Sequence, residues 1–192
     1  MARTLALLML SCVLATGAFA QEEFYGWTLS QSSADPFDNV GVLLGLPIYV
    51  YLWYYCSPNS QGMAAAEFAV EFSGGTGEIY SFELLAPWLN AGTATQLLLA
   101  TECPPGPVLV ARWHLQLDTA IEFCIVPDSY GINGSVDCSP YPSLHPNNTV
   151  GLTASKFLPP TCDDRVGGEL CFAPVSVEAT SWGRVKALYS GR

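Results

Sequence analysis

Residues 48–55 read Ile48-Tyr49-Val50-Tyr51-Leu52-Trp53-Tyr54-Tyr55, and every one of them is apolar or aromatic. The run has the length of a β-strand and lies between Pro47 and the turn residues Ser57-Pro58-Asn59. An unbroken apolar run of this length is typical of a central strand whose two faces are both covered. The stretch therefore predicts a β-sheet with residues 48–55 in its interior.

Residues 66–72 predict a second strand, because Phe68, Val70 and Phe72 alternate with Glu67 and Glu71. Alternation of this kind indicates a half-buried strand with an acidic outer face. Further strands are expected near residues 78–85, 96–101, 108–117, 121–126 and 170–177, between turns that are rich in glycine and proline.

The composition supports an all-β domain. Hydrophobic residues make up 50% of the chain and charged residues 12%, with 17 glycines and 14 prolines among 192 residues. No helical pattern separates the predicted strands, so a parallel α/β fold is disfavoured. We therefore expect an Ig-like or cohesin-like two-sheet sandwich of about seven to eight strands, followed by a short C-terminal helix.

One pairing can be predicted in register, between residues 108–117 and 121–126. Inward-facing residues on the two strands match if a loop at 118–120 joins them as a hairpin. Leu115 would then lie opposite Phe123, and His114 would fall on the outer face.

The N-terminus predicts export of the chain. Arg3 precedes the apolar run 5–14, and Ala18-Phe19-Ala20 forms an A-x-A cleavage site before Gln21. The run is too short to span a bilayer as a helix, so we expect a cleaved signal peptide and no transmembrane segment. Acylation at Cys12 is the alternative, but it would leave an apolar segment shorter than export signals use.

Four parts are expected along the chain. They are a signal peptide at 1–20, a loose leading segment at 21–39, a disulfide-bonded β-sandwich at 40–178 and a basic amphipathic tail at 179–192. A protein organised in this way is expected to be secreted or held at the cell surface.

Loss of Cys12 with the leader leaves six of the seven cysteines, an even number that suits disulfides in an oxidising compartment. They are Cys56, Cys103, Cys124, Cys138, Cys162 and Cys171. Their spacing lacks the close pairs of a zinc site, so no metal is expected. The hairpin register brings Cys103 near Cys138, while Cys162 and Cys171 close a short loop. Cys56 with Cys124 then remains by elimination, although the sequence alone leaves other pairings open.

The side chains offer little for catalysis. No nucleophilic serine motif is present, and the two histidines, His114 and His145, lie on a predicted strand and in a proline-rich loop. Glu67 and Glu71 are four strand positions and roughly 13 Å apart, too far for either glycosidase mechanism. The formal net charge of −10 also disfavours nucleic acid as a partner. The sequence thus favours a non-catalytic protein and calls for no cofactor.

The aromatic strand is the first candidate for binding. Four side chains share one face of it at a spacing of roughly 6.6 Å, namely Tyr49, Tyr51, Trp53 and Tyr55. Such a ladder could stack sugar rings or another aromatic surface. Because the opposite face is apolar as well, burial of both faces is the stronger expectation, and Trp53 is then a core residue.

The C-terminal tail is the second candidate. Apolar and basic side chains separate there at helical spacing, and the residues expected to dock are Trp182, Arg184, Val185, Lys186, Leu188 and Tyr189. A basic amphipathic stretch on an acidic body could dock on the domain itself or engage a partner.

The tail also carries a resemblance. Residues 181–189 read Ser181-Trp182-Gly183-Arg184-Val185-Lys186-Ala187-Leu188-Tyr189. They resemble a Ser/Thr-Trp-Gly-x-Ile/Val-Lys-x-Leu-Tyr ending of uncharacterised secreted proteins from environmental bacteria. Residues 64–68 and 103–110 are similar to the single-domain members of that set. The resemblance implies a bacterial secreted sandwich and supplies no activity, ligand or catalytic residue.

Taken together, these patterns favour a secreted, non-catalytic module for binding, adhesion or surface structure, with an extracellular protein or carbohydrate as partner. The alternative is a secreted hydrolase or carbohydrate-active domain whose acidic groups converge only after folding. A cleft that brings Glu67, Glu71, Glu122 or His114 together would favour that alternative.

Overall fold

The structure is a computed structural model and describes residues 24–57, 60–85 and 87–155. No helix occurs within these ranges, which confirms the all-β prediction for them. The strands are β1 (Tyr25–Ser30), β2 (Pro47–Cys56), β3 (Met63–Ser73), β4 (Gly77–Leu84), β5 (Leu89–Asn90), β6 (Gln96–Ala100), β7 (Val108–Leu117), β8 (Glu122–Val126), β9 (Gly134–Asp137), β10 (Leu144–Val150) and β11 (Leu152–Thr153).

These strands form one mixed sheet that is nearly closed into a barrel. Their order is β11-β8-β3-β9-β10-β1-β2-β7-β4. Strand β6 also pairs with β3, and β5 pairs with β6. Strand β1 runs parallel to β10, and the other pairs of strands in the described residues are antiparallel. The expected two-sheet sandwich is therefore not confirmed, and the expected C-terminal helix lies outside the described residues.

The core is built around β1, all six of whose residues are buried. The indole ring of Trp27 packs against three other rings, with centroid distances of 5.5 Å to Tyr54, 4.9 Å to Phe68 and 5.9 Å to Trp88. Aromatic side chains bury the largest apolar areas of any residues, so this cluster accounts for much of the hydrophobic stabilisation.

Three strands lie where loops or turns were expected. Strand β1 falls in the leading segment 21–39, and β9 and β10 occupy the predicted turn and proline-rich loop. The folded body therefore includes residues from Tyr25 onward, ahead of the boundary expected at residue 40.

The predicted hairpin between residues 108–117 and 121–126 is wrong. Strand β7 pairs with β2 and β4, whereas β8 pairs with β3 and β11. The amides of residues 118–120 all donate to the Thr76 carbonyl oxygen, which ties this loop to the β3–β4 turn and makes the chain cross over. Leu115 and Phe123 are fully buried as expected, whereas Ile121, which was expected to share the inward face of Phe123, is 51% exposed.

The predicted disulfide between Cys103 and Cys138 is confirmed, with the two Cα atoms 5.9 Å apart. It joins the chain just after β6 to the chain just after β9, and both of these strands pair with β3 around Ala65. A shared neighbour, rather than the hairpin register, thus brings the two sulfurs together. Cys56 and Cys124 are disulfide-bonded as well. Their pairing with each other stays a prediction, and the expected pair Cys162–Cys171 lies outside the described residues.

Candidate binding face

Strand β2 turns one face to the core and the other outward. On the inner face, alternate residues from Val50 to Tyr54 are fully buried, whereas Tyr49 on the outer face is 49% exposed. Tyr51 and Trp53 are half-buried on that same outer face. The expectation that both faces of this strand are covered is therefore wrong over most of its length, and Trp53 is not a core residue.

The far end of the predicted aromatic ladder is covered by the chain that precedes β2. Tyr55 is buried, with the rings of Phe24 and Phe37 edge-on to it at centroid distances of 6.1 and 5.8 Å. The indole nitrogen of Trp53 donates a hydrogen bond of 3.2 Å to the Ser32 carbonyl oxygen. The accessible part of the ladder is thus its first two tyrosines.

Strands β7 and β4 extend this outer surface with two further rings. His114 lies opposite Tyr49 across the β2–β7 pair, and the two rings stack with centroids 4.9 Å apart and planes inclined by 25°. Tyr80 of β4 packs against the same imidazole at 5.2 Å. Three rings therefore lie in a row across three neighbouring strands.

Charged groups border this row of rings. The guanidinium carbon of Arg112 lies 5.4 Å from the centroid of the Tyr49 ring, within the range of a cation–π contact. Its Nη2 atom lies 2.6 Å from a carboxylate oxygen of Glu83 on β4. The hydrogen bond that Arg112 donates to this carboxylate and the negative charge of Glu83 raise the pKa of Arg112, so the guanidinium stays charged. The pair fixes the orientation of a planar group that donates hydrogen bonds beside an exposed ring.

We define the aromatic face as the outer surface of β2, β7 and β4 that carries Tyr49, Tyr51, Tyr80, Glu83, Arg112, His114 and Gln116. At its border the Tyr80 hydroxyl donates a hydrogen bond of 3.2 Å to the Gln116 side-chain oxygen. Flat rings supply apolar area for a ligand, and the bordering groups supply directed hydrogen bonds. This arrangement can bind a ring-shaped polar ligand.

Sequence reasoning identified part of this face. It named Tyr49 and Tyr51 and put His114 on an outer face, but it missed Tyr80 and Arg112. The pairing of β4 with β7 shifts register between Ile79 and Ser81, which leaves Tyr80 as an extra residue turned outward. The same alternation with buried neighbours that put His114 on the outer face also marks Arg112.

A histidine and an aspartate also meet, at the β9–β10 turn. The Nε2 atom of His145 lies 2.8 Å from a carboxylate oxygen of Asp137. Ser135 lies opposite His145 in the β9–β10 pair, but it is fully buried, accepts from the Trp27 indole and donates to Asn147. A nucleophile sealed in this way cannot meet a substrate, so the pair holds the turn together.

The acidic groups considered for hydrolysis do not form a cleft with His114. Glu67 and Glu71 lie on β3, which belongs to a different part of the sheet from β7. Glu122 is buried at the start of β8. Within the described ranges, His, Cys, Asp and Glu residues form no group of three that could hold a metal ion.

Comparisons with protein-family models, with curated proteins and with solved structures found no match for this chain. Nowhere in the described ranges is there a helix with the length and hydropathy needed to cross a membrane. The expected docking residues of the tail, from Trp182 to Tyr189, lie outside the described residues.

Proposed function

We propose that the protein is a secreted, non-catalytic binding module that holds an extracellular carbohydrate on its aromatic face. The observation that carries this proposal is the row of rings formed by Tyr49, His114 and Tyr80, with Tyr49 and Tyr80 each more than two-fifths exposed. Sugar rings present flat C–H faces that stack on aromatic side chains, and their hydroxyls need hydrogen bonds at the edge. The ion pair of Arg112 and Glu83 supplies both donors and acceptors there.

An extracytoplasmic location belongs to the same proposal. The disulfide between Cys103 and Cys138 supports it, because structural disulfides persist in oxidising compartments. The signal peptide expected at residues 1–20 would deliver the chain there.

The experiment is a screen of the full chain against immobilised polysaccharides, followed by calorimetry with the best ligand. Tyr49→Ala removes the most exposed ring of the row and should weaken binding about tenfold, the effect of one aromatic contact of roughly 1.4 kcal/mol. Tyr130→Ala is the matched control, because Tyr130 is an exposed tyrosine of the loop between β8 and β9.

Equal affinity of the Tyr49→Ala variant and the wild type would overturn the assignment of this face. Equal weakening by Tyr49→Ala and Tyr130→Ala would do the same. Melting temperatures of both variants separate lost contacts from lost folding.

A further inference from the structure

A second exposed surface adjoins the Gln116 end of the aromatic face, since Pro47 pairs with Gln116, and its function goes beyond carbohydrate binding. We define the leucine patch as Leu43, Leu44, Leu46 and Ile121. These four side chains are between 45% and 59% exposed. Soluble proteins rarely leave a contiguous group of large apolar side chains open to water unless something covers it.

Hydrogen bonds place the four residues at one end of the barrel. The Gly45 amide donates to the Leu117 carbonyl oxygen at the end of β7, with a distance of 2.8 Å. The Val42 amide donates to the Thr153 carbonyl oxygen of β11, and β11 pairs with the start of β8 beside Ile121. The segment 40–46 and Ile121 thus surround the same strand ends.

The chain leaves the described structure at this patch. The Gly41 amide donates to the Ser155 carbonyl oxygen at 2.9 Å, and the Ala154 amide donates to the Ile121 carbonyl oxygen at 2.8 Å. Ser155 is the last described residue, and residues 156–192 follow it. The remainder of the chain therefore starts between Leu43 and Ile121 rather than elsewhere on the surface.

We propose that the C-terminal stretch 182–189 docks on the leucine patch of its own chain. Trp182, Val185 and Leu188 follow one another at helical spacing, so a single face of this stretch is apolar. An extended chain covers roughly 3.3 Å per residue, so the residues between Ser155 and Trp182 reach well beyond the patch. Because the stretch is tethered at the patch, its effective concentration there is high.

Charge also favours docking of the stretch 182–189 on the leucine patch. Asp118 follows Leu117 directly, and Asp38 lies beside Val40, since the Gln31 amide group donates to both Asp38 and the Val40 carbonyl oxygen. One carboxylate thus precedes the segment 40–46 and another follows Leu117, whose carbonyl oxygen accepts from Gly45, on a chain with a net charge of −10. The stretch brings Arg184 and Lys186 to this acidic surface.

Trypsin provides the test, because it cleaves after Arg184 and Lys186 within the proposed docking stretch. In the full wild-type chain, the first cut after Arg184, measured on chains still intact at Lys156 and Arg165, should be slow relative to the same cut in an isolated peptide of residues 178–192. The L43S/L44S variant should cleave after Arg184 at least about tenfold faster, because proteolysis follows the population of the undocked state. L89S and L144S replace equally exposed leucines elsewhere and should leave the rate unchanged.

Trp182→Ser should accelerate cleavage after Lys186 to the same extent, and it changes none of the described residues. Combining it with L43S/L44S should add nothing further, because both changes remove one interaction. Equal rates in the wild type and L43S/L44S, or additive effects in the combined variant, would overturn the proposal.

A second copy of the chain is the competing occupant, and light scattering detects it. A wild-type dimer that L43S/L44S converts to a monomer, with unchanged cleavage after Arg184, would also overturn the proposal. A monomer whose cleavage depends on the patch would support it. Loss of polysaccharide binding in Tyr49→Ala bears on the aromatic face alone, so the two proposals fail separately.

Discussion

Asp137 holds the turn between β9 and β10 through its carboxylate, which accepts from the Ser139 and Ser143 amides and from His145. Burial raises the pKa of Asp137, the hydrogen bonds from these partners lower it by more, and the net shift is downward. A carboxylate with a depressed pKa stabilises the fold above the unfolded-state value of about 4 and loses this effect as pH falls through the folded-state pKa.

Asp137→Asn should therefore lower the free energy of unfolding by about 1–3 kcal/mol at neutral pH, where the wild-type carboxylate is ionised. The difference between variant and wild type should shrink as the pH is lowered toward about 2. Urea denaturation at a series of pH values measures this difference in the free energy of unfolding. Glu78→Gln, at an exposed position of β4, is the control. A difference that stays constant down to this pH would show that the charge of Asp137 contributes nothing.

Two tryptophans should differ in their contribution to stability, although the sequence predicted a core position only for Trp53. Trp27 is fully buried and donates to the Ser135 hydroxyl, so Trp27→Ala should cost about 3–5 kcal/mol. Trp53 is half-buried on the outer face, so Trp53→Ala should cost only about 1–2 kcal/mol. Chemical denaturation of the two variants compares them, and equal losses would contradict the outward placement of Trp53.

At the level of the strand, β1 can lie beneath Tyr55 only because residue 26 lacks a side chain. A Cβ atom built on Gly26 would lie 2.2 Å from the ring of Tyr55, far inside contact distance. Gly26→Ala should destabilise the protein by about 1–3 kcal/mol, because the ring must move out of a packed site. In a Tyr55→Ala background the same change should cost less, and a double-mutant cycle by urea denaturation measures the coupling. A coupling of zero would mean that the strand tolerates the methyl group in another way.

The strands that could be predicted are those whose own residues form a long apolar run or alternate between apolar and polar. Strands β2, β3 and β7 have long apolar or alternating runs, and all three were located. Strand β10 contains Pro146, Asn147 and Asn148, which are poor strand formers. It is held instead by parallel pairing with β1 and by the hydrogen bond from the Asn147 side chain to Asn133. Support that comes from distant residues leaves no local signal.

The candidate site, like the strands, could be predicted from the sequence only where a local pattern marks its residues. Alternation along β2 identified Tyr49, while the grouping of Tyr49 with Tyr80 depends on β7 lying between β2 and β4. That order follows from the crossover at residues 118–120, which the local pattern predicted as a hairpin. The rings of the aromatic face could therefore be named singly from the sequence but not assembled into a surface.

For the molecule as a whole, the number of free thiols is the most direct test of the predicted disulfides. Cys56, Cys103, Cys124 and Cys138 are all disulfide-bonded, and the chain expected after loss of residues 1–20 also contains Cys162 and Cys171. We expect three disulfides and no free thiol after the leader is removed. Intact mass after alkylation of the denatured, non-reduced protein checks this. A single alkylated cysteine would contradict it.

The parallel pairing of β1 with β10 has a consequence for how the chain is made. Strand β1 is the first strand of the described chain and β10 is nearly the last, so one edge of β1 stays open until almost the whole body has been synthesised. Closure of such a non-local contact carries a large loop entropy, and topologies of this kind fold slowly, in milliseconds to seconds. Tyr25, whose ring packs against that of His145 in β10 with the centroids 4.9 Å apart, lacks this cover during that interval. A holding chaperone that shields this first strand would therefore suppress aggregation of the nascent protein more than one that acts on any later segment.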